Sequence, residues 1–276
     1  MWAAFGNRRP RYAEWSEPDG FGISSPESVL RALTHDDDDL TVDYSAADLD
    51  GYADGDTVGT WPARRGGLDL SALGTPAYTA PDADVAVSSV AYAASGDRHT
   101  GAAIDWSASK TATLLSVWYS SLTLPANAGI VGLHTNLGSV PATTGGVEHL
   151  LGANSGYWTP LHRPDGAGGF WLERDTDADL DALHVTVSVH NTAAAAEADE
   201  INGYQDGAEI VGSGTGNSGT AANWQSALYP VIGARDNAAA EGLDGRVVRF
   251  IALPYALDAD QAVHVSDLLA TIARSH

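Results

Sequence analysis

Between Leu40 and Leu257 apolar and polar residues alternate in short runs separated by Gly, Asn and Asp. Alternation with a period of two marks a strand whose successive side chains point to opposite faces. The spacing predicts strands in LTVDYSA (40–46), VAVSSVAYA (85–93), TATLLSVWYSSLTL (111–124) and GIVGLHTN (129–136). More follow in GFWLERD (169–175), LHVTVSVHN (183–191), EINGYQDGAEIVG (200–212), ALYPVIGARD (227–236) and GRVVRFIALPYAL (245–257). Within INGYQDGAEIV, Gln-Asp-Gly supplies a tight turn between two strands. The small-residue segments 191–199 and 212–223 read as loops, the latter flexible and lacking a P-loop lysine or a nucleophile elbow.

Only the two ends have helical spacing. Ser24 or Ser25 can cap a helix with Pro26 near its first position, Glu27 in its first turn and Val29, Leu30 and Leu33 on one face. The acidic run Asp36–Asp39 ends it and reads as a solvated loop. Near the C-terminus Asp258 or Asp260 precedes Ala262, Val265, Leu268, Leu269 and Ile272 at helical intervals. No helices alternate with the strands, so a doubly wound α/β sheet is disfavoured and a sandwich or barrel is expected. The boundaries drawn are a helical arm over 1–39 and one β domain over 40–276.

Charge changes the picture. The 276 residues carry 14 Lys and Arg against 36 Asp and Glu, a formal net charge of -22, and Lys110 is the single lysine. Such a surface repels itself in dilute buffer. In molar salt the Debye length falls to about 3 Å and the repulsion is screened. Acidic composition with almost no lysine therefore points to a halophile. No basic patch exists to displace counterions from nucleic acid, and no apolar run reaches the ~18 residues of a membrane span. Cysteine is absent, which removes disulfides, thiolate metal sites and cysteine nucleophiles. Arg8 and Arg9 form a twin-arginine pair, but the apolar stretch of a signal peptide does not follow.

Three stretches resemble laminin-G-like jelly-roll domains of the concanavalin A-like lectin/glucanase superfamily. The first is Asp54-Gly55-Asp56-Thr57-Val58-Gly59-Thr60-Trp61-Pro62, similar to that family's opening. The second is TATLLSVWYS, in the place of its central strand. The third is the tail, where INGYQDGAEIV is followed by Val231-Ile232-Gly233 and then by LDGRVVRFIALPYALDADQ. The chain departs at Ala63-Arg64-Arg65-Gly66-Gly67 and around Val248-Arg249-Phe250, where the family has a Glu. The resemblance implies an all-β, antiparallel two-sheet jelly-roll sandwich with a short N-terminal helical arm and a C-terminal helix.

Strongly acidic domains of this type resemble virion proteins of haloarchaeal tailed viruses. The resemblance implies a non-enzymatic structural protein on the virion surface, as capsid decoration, turret or tail part. It would be made in the host cytoplasm without a signal peptide. Its partners would be other virion proteins, further copies of itself in a homo-oligomer, and host surface glycans or proteins. The alternative is a secreted or surface glycoside hydrolase of a halophile.

Candidate chemistry sits in four places. Glu173, Asp175 and Asp177 are spaced by two, similar to the catalytic strand of glucanases of this fold; a solvated acidic loop is the competing reading. Tyr157 and Trp158 form a candidate platform for sugar rings, with His162 and Asp165 as polar partners; packing beneath the loop or at a subunit contact is the alternative. Asp54 and Asp56 offer hard oxygens to Ca²⁺, the one metal considered, against chance proximity among many Asp; no other cofactor is expected. In the arm, Trp2, Phe5, Arg8, Arg9 and Arg11 read as a docking segment or as a strap folded back on its own domain. His184 and His190 share a face of one strand too far apart to hold one ion. Trp61, Trp106 and Trp118 read as core or rim residues.

Overall fold

The computed structural model describes residues 25–34, 40–65, 68–93, 96–121, 128–135, 146–151, 158–163, 170–173, 180–194, 199–210, 213–216, 223–235 and 242–275. Two antiparallel sheets face each other and the helices lie against the first. The first sheet runs β14 (Ala208–Ile210), β13 (Ile201–Gln205), β12 (Leu183–Asn191), β7 (Thr111–Ser120), β17 (Gly245–Leu253), β5 (Ser89–Tyr92) and β4 (Ala77–Thr79). Strand β1 (Val42–Ser45) also pairs with β17, beside β5 along the same edge.

The second sheet runs β15 (Ser213–Gly216), β11 (Phe170–Glu173), β10 (Trp158–Arg163), β9 (Gly146–Leu151), β8 (Ala128–His134), β16 (Tyr229–Ile232), β6 (Arg98–Thr100), β3 (Leu70–Leu73) and β2 (Thr60–Trp61). The all-β two-sheet sandwich with a short helix at the N-terminal side and another at the C-terminus is thus the architecture found. Among the described residues no helix is long and apolar enough to cross a membrane.

The period-two pattern sorts residues between two cores. On β7, Ala112, Leu114 and Trp118 join the cluster between the sheets, while Leu115, Val117 and Tyr119 join the cluster beneath the helices. Helix α2 (Ala259–Arg274) starts in a capping box, with the Asp258 carboxylate accepting from the Gln261 N–H and the Gln261 amide oxygen accepting from the Asp258 N–H. It buries Ala262, Val265, Leu269 and Ala273 against β7, β12 and β13. Each fully buried Val or Leu contributes about 1.5–3 kcal/mol. Helix α1 (Pro26–Thr34) is capped by the Ser25 hydroxyl, buries Leu30 in the same cluster and packs on α2.

Two details follow from local chemistry. Strands β13 and β14 form a hairpin around Asp206 (φ 53°) and Gly207 (φ 82°), the two left-handed residues that a tight two-residue turn requires. Residues 213–216 are not loop: they form β15, paired with β11 from Phe170↔Gly216 to Glu173↔Ser213. A strand of Ser, Gly and Thr carries no apolar alternation, so its place is set by its partner rather than by its own pattern.

An ion network fixes α1 to the sheet. Arg249 of β17 is 2% exposed and donates to Asp43 of β1 through Nε (3.0 Å) and Nη2 (2.7 Å). It also donates to Glu27 of α1 through Nη1 (2.7 Å) and Nη2 (3.1 Å). Arg64 extends the network to Glu27 and Asp48. Burial opposes the charge on Arg249, yet Asp43 and Glu27 together hold its guanidinium above the usual arginine range. The position where the chain departs from the laminin-G-like pattern is thus the hub of a network joining α1, β1 and β17.

Candidate functional site

The predicted sugar platform is corrected first. Trp158 is the first residue of β10, paired with Leu151, and its indole is wholly buried in the core between the sheets, edge-on to the His149 ring at 5.0 Å. An indole in that position is not open to a sugar ring; it packs in the core between the sheets, rather than beneath a loop or at a subunit contact. His162, four residues along the same strand, is also turned inward and 1% exposed. Tyr157, Asp165, Asp175 and Asp177 lie outside the described residues, as do Trp2, Phe5, Arg8, Arg9 and Arg11. Glu173 closes β11, opposite Ser213.

Asp54 and Asp56 are exposed and close the turns around them. Asp54 Oδ1 accepts from the Ala80 N–H (3.1 Å) and Asp56 Oδ2 from the Ala53 N–H (2.8 Å). Among the described residues no three His, Asp or Glu side chains converge as a metal site. Trp61, Trp106 and Trp118 are fully buried.

A polar strip crosses the interior. On β12, Val185, Val187 and Val189 face the helices, so His184, Thr186, Ser188 and His190 face the second sheet. There they meet His149 of β9 and His162 of β10. Ser116 Oγ lies 2.9 Å from His149 Nδ1, and His149 Nε2 lies 2.6 Å from Ser188 Oγ. Ser188 Oγ lies 2.7 Å from His190 Nε2, and His190 Nδ1 lies 3.3 Å from His162 Nδ1. His162 Nε2 in turn lies 3.3 Å from Glu200 Oε2. Trp224 stands edge-on to both His162 (5.9 Å) and His190 (6.5 Å). Burial holds the imidazoles neutral, lowering His149 to about 3, His162 to about 4 and His190 well below its ordinary value.

At one end of the strip Trp118 packs at 4.9 Å on His184, whose Nδ1 is 2.9 Å from Asp206 Oδ2. Burial works against the Asp206 charge, but its bonds to His184 and the Val185 N–H lower its carboxyl below the usual range.

The opposite face of the second sheet carries the other charged cluster. Val147 and His149 point into the sandwich, so Glu148 between them points outward. It is 3% exposed. Arg235 Nε donates to Glu148 Oε1 at 3.2 Å, and His134 Nε2 lies 3.7 Å from Glu148 Oε2. Gly132, opposite Glu148 in the register, leaves the room: a Cβ there would stand 2.6 Å from His134 Nε2 and 3.0 Å from Glu148 Cβ. A carboxylate flanked by an imidazole and a guanidinium can exchange a proton with the one and keep its charge beside the other, which are the requirements of a general acid or base. The sequence reading passed over all three residues. Glu148-His149 fits no helical metal motif, and β9 had not been read as a strand. The signal present was the alternation Val147-Glu148-His149-Leu150, which places Glu148 and His149 on opposite faces.

No family model matches this chain, and no curated protein is similar enough to match it. Solved structures share the fold. Trypanosoma rangeli sialidase in complex with sialic acid superposes with a TM-score of 0.55 at 14% identity, over 85% of this chain and 33% of that chain. The same sialidase in complex with a 2,3-difluoro-KDN ligand gives 0.54 at 13% identity, over 85% and 33%. Domain 4 of AbnA, a GH43 extracellular arabinanase from Geobacillus stearothermophilus, in complex with arabinotriose, gives 0.51 at 12% identity, over 82% of this chain and 96% of that one. The chain spans about a third of the sialidase's length. The expectation of a protein that is no enzyme is overturned by these neighbours, which are glycoside hydrolases or a domain of one.

Proposed function

We propose that this chain is a glycan-active protein of the glycoside-hydrolase kind, adapted to high salt. Its chemistry would lie on the outer face of the second sheet. The observation that carries this reading is the outward Glu148 carboxylate held between Arg235 and His134. The sandwich fold supports it, since a domain of similar fold and size is known in complex with arabinotriose. So does the resemblance of the sequence to concanavalin A-like lectins and glucanases.

Glu148 is the acid/base residue in this reading. His134 passes it a proton and Arg235 steadies its charge. Glycoside hydrolysis needs a second carboxyl group, and Glu173 is the candidate. It closes β11, two strands from β9 across β10. Glu148 lies across from Leu161 and Trp171 in the register, so Glu173 stands two strands over and two residues along, with the backbones about 12 Å apart.

The test uses the full chain in molar KCl with arabino-oligosaccharides and sialosides. Binding is measured by calorimetry, and hydrolysis by release of reducing ends. Hydrolysis is expected. Glu148→Gln is expected to lower the rate by about 10²–10⁴-fold, the usual worth of a general acid or base. Neither binding nor hydrolysis of either class, or full activity in Glu148→Gln, would overturn the reading.

A further inference from the structure

The interior strip has a property that neither the glycan reading nor the fold requires: once Glu200 accepts, the hydrogen bonds that join His162, His190, Ser188, His149 and Ser116 run in one order. A carboxylate only accepts, and an indole N–H only donates. With Glu200 ionised, His162 must present Nε2–H to it. A neutral His162 then offers the Nδ1 lone pair, so the facing atom at 3.3 Å must be His190 Nδ1–H. His190 Nε2 is therefore an acceptor, and Ser188 donates to it. The Ser188 oxygen must in turn accept from His149 Nε2–H, which leaves His149 Nδ1 accepting from Ser116. Ser116 accepts from Thr186 at 2.7 Å. Thr186 accepts from Trp118 Nε1–H at 3.1 Å. The order deduced from Glu200 is thus compatible with Trp118, which can only donate.

We propose that this strip is a buried proton-uptake site that holds one proton and no second, and so makes the packing of the two sheets sensitive to acid. The first proton completes His162 as an imidazolium beside Glu200. To make room, His190 exchanges Nδ1–H for Nε2–H and His149 exchanges Nε2–H for Nδ1–H, while the hydroxyls of Ser188, Ser116 and Thr186 turn round, so that Thr186 accepts from both Ser116 and Trp118. Each of these two imidazoles loses one N–H and gains the other, the hydroxyls turn without losing their protons, and the net change is the one proton bound at His162. A second proton would make His190 a cation 3.3 Å from charged His162. No carboxylate faces it among the described residues. Among the described residues the charged and titratable groups around the strip are few. From β9 His149 enters it while Glu148 turns away; from β10 comes His162, and Glu200 from the turn before β13. Beyond Trp118 lie His184 and Asp206.

The experiment is nitrogen NMR of the histidine-labelled full chain in molar KCl. At pH 7, His190 is expected as the Nδ1–H tautomer, with His149 and His162 as Nε2–H. In acid, with the fold intact by far-ultraviolet dichroism, His162 alone becomes doubly protonated and His190 switches to Nε2–H. Glu200→Gln removes the partner charge and should lower that midpoint by about 1–3 pH units. Finding His190 as Nε2–H at pH 7, two imidazolium rings in the folded strip, or an unmoved midpoint in Glu200→Gln would each overturn the proposal. If Glu200→Gln does not fold, the wild-type tautomers decide alone. A chain without glycan activity leaves this prediction standing, because no step of it uses Glu148.

Discussion

Arg249→Met is the substitution whose effect the structure defines most sharply. The side chains are similar in length, so packing is nearly kept while the charge is removed. What remains is Asp43, wholly inaccessible to water, having lost both guanidinium bonds at 2.7 and 3.0 Å. Removing one partner of a buried ion pair costs about 3–5 kcal/mol, because the other charge stays buried without compensation. Glu27 suffers less: its side chain is 30% exposed and it keeps Arg64. A domain with a total stability of about 5–15 kcal/mol would lose a third or more of it. Asp43→Val together with Arg249→Met removes both charges, and should restore stability to within about 1 kcal/mol of wild type, or exceed it.

The assay is urea unfolding followed by tryptophan fluorescence, at fixed molar KCl so that surface repulsion is constant. Repeating it at two salt concentrations adds a check, since a buried pair is screened much less than a surface one. An Arg249→Met loss below about 1 kcal/mol would refute the reasoning. So would a double variant as unstable as the sum of the two single ones, for then the network would be held by something other than its charges.

Other outcomes follow from the same structure. Four buried imidazoles, His99, His149, His162 and His190, are held below the 6.5 at which an unfolded histidine titrates, so between there and about 4 the unfolded chain binds more protons. Stability is therefore full above pH 6.5 and falls as the pH drops below it; urea midpoints that stay flat between pH 7.5 and 5 would contradict it. Trp158→Ala should cost about 3–5 kcal/mol in urea unfolding, as a core truncation does, and a variant of wild-type stability would return Trp158 to the surface. Gly233→Ala combines a left-handed backbone (φ +89°) with a Cβ placed 2.2 Å from the Tyr92 ring. It should lower the thermal midpoint where Gly59→Ala, with nothing within 4 Å, does not.

Much of the fold was legible because its central strands alternate. Residues 111–120 and 183–191 announce themselves as strands, and Asp206-Gly207 as a hairpin turn. The N-terminal helix was legible from Ser25, Pro26 and Glu27, and the C-terminal one from Asp258 and its apolar spacing. Strand β10 was not, because Pro160 reads as a break. The chain accommodates it where pairing with β11 begins only at Leu161. The site was harder still. A strand that alternates Val with His, Thr and Ser looks half-solvated, and the usual inference puts its polar face in water. In β12 both faces are covered, and it is the valines that meet the helices while the polar row faces the other sheet.

The charge that dominates the composition hid the few charges that matter. Among 36 acidic residues, Glu148, Asp43 and Glu200 have no mark in the sequence that separates them from solvated Asp. Water and salt neutralise an exposed carboxylate without help from the chain, so its position is free. A buried one must be answered by a specific donor, and each of these three is: Glu148 by Arg235, Asp43 by Arg249 and Glu200 by His162. Two of those answers use arginines from a chain with only 14 Lys and Arg, and one uses an imidazole that burial keeps neutral. In a protein this acidic the scarce donors, rather than the abundant carboxylates, are therefore the better guide to where its chemistry lies.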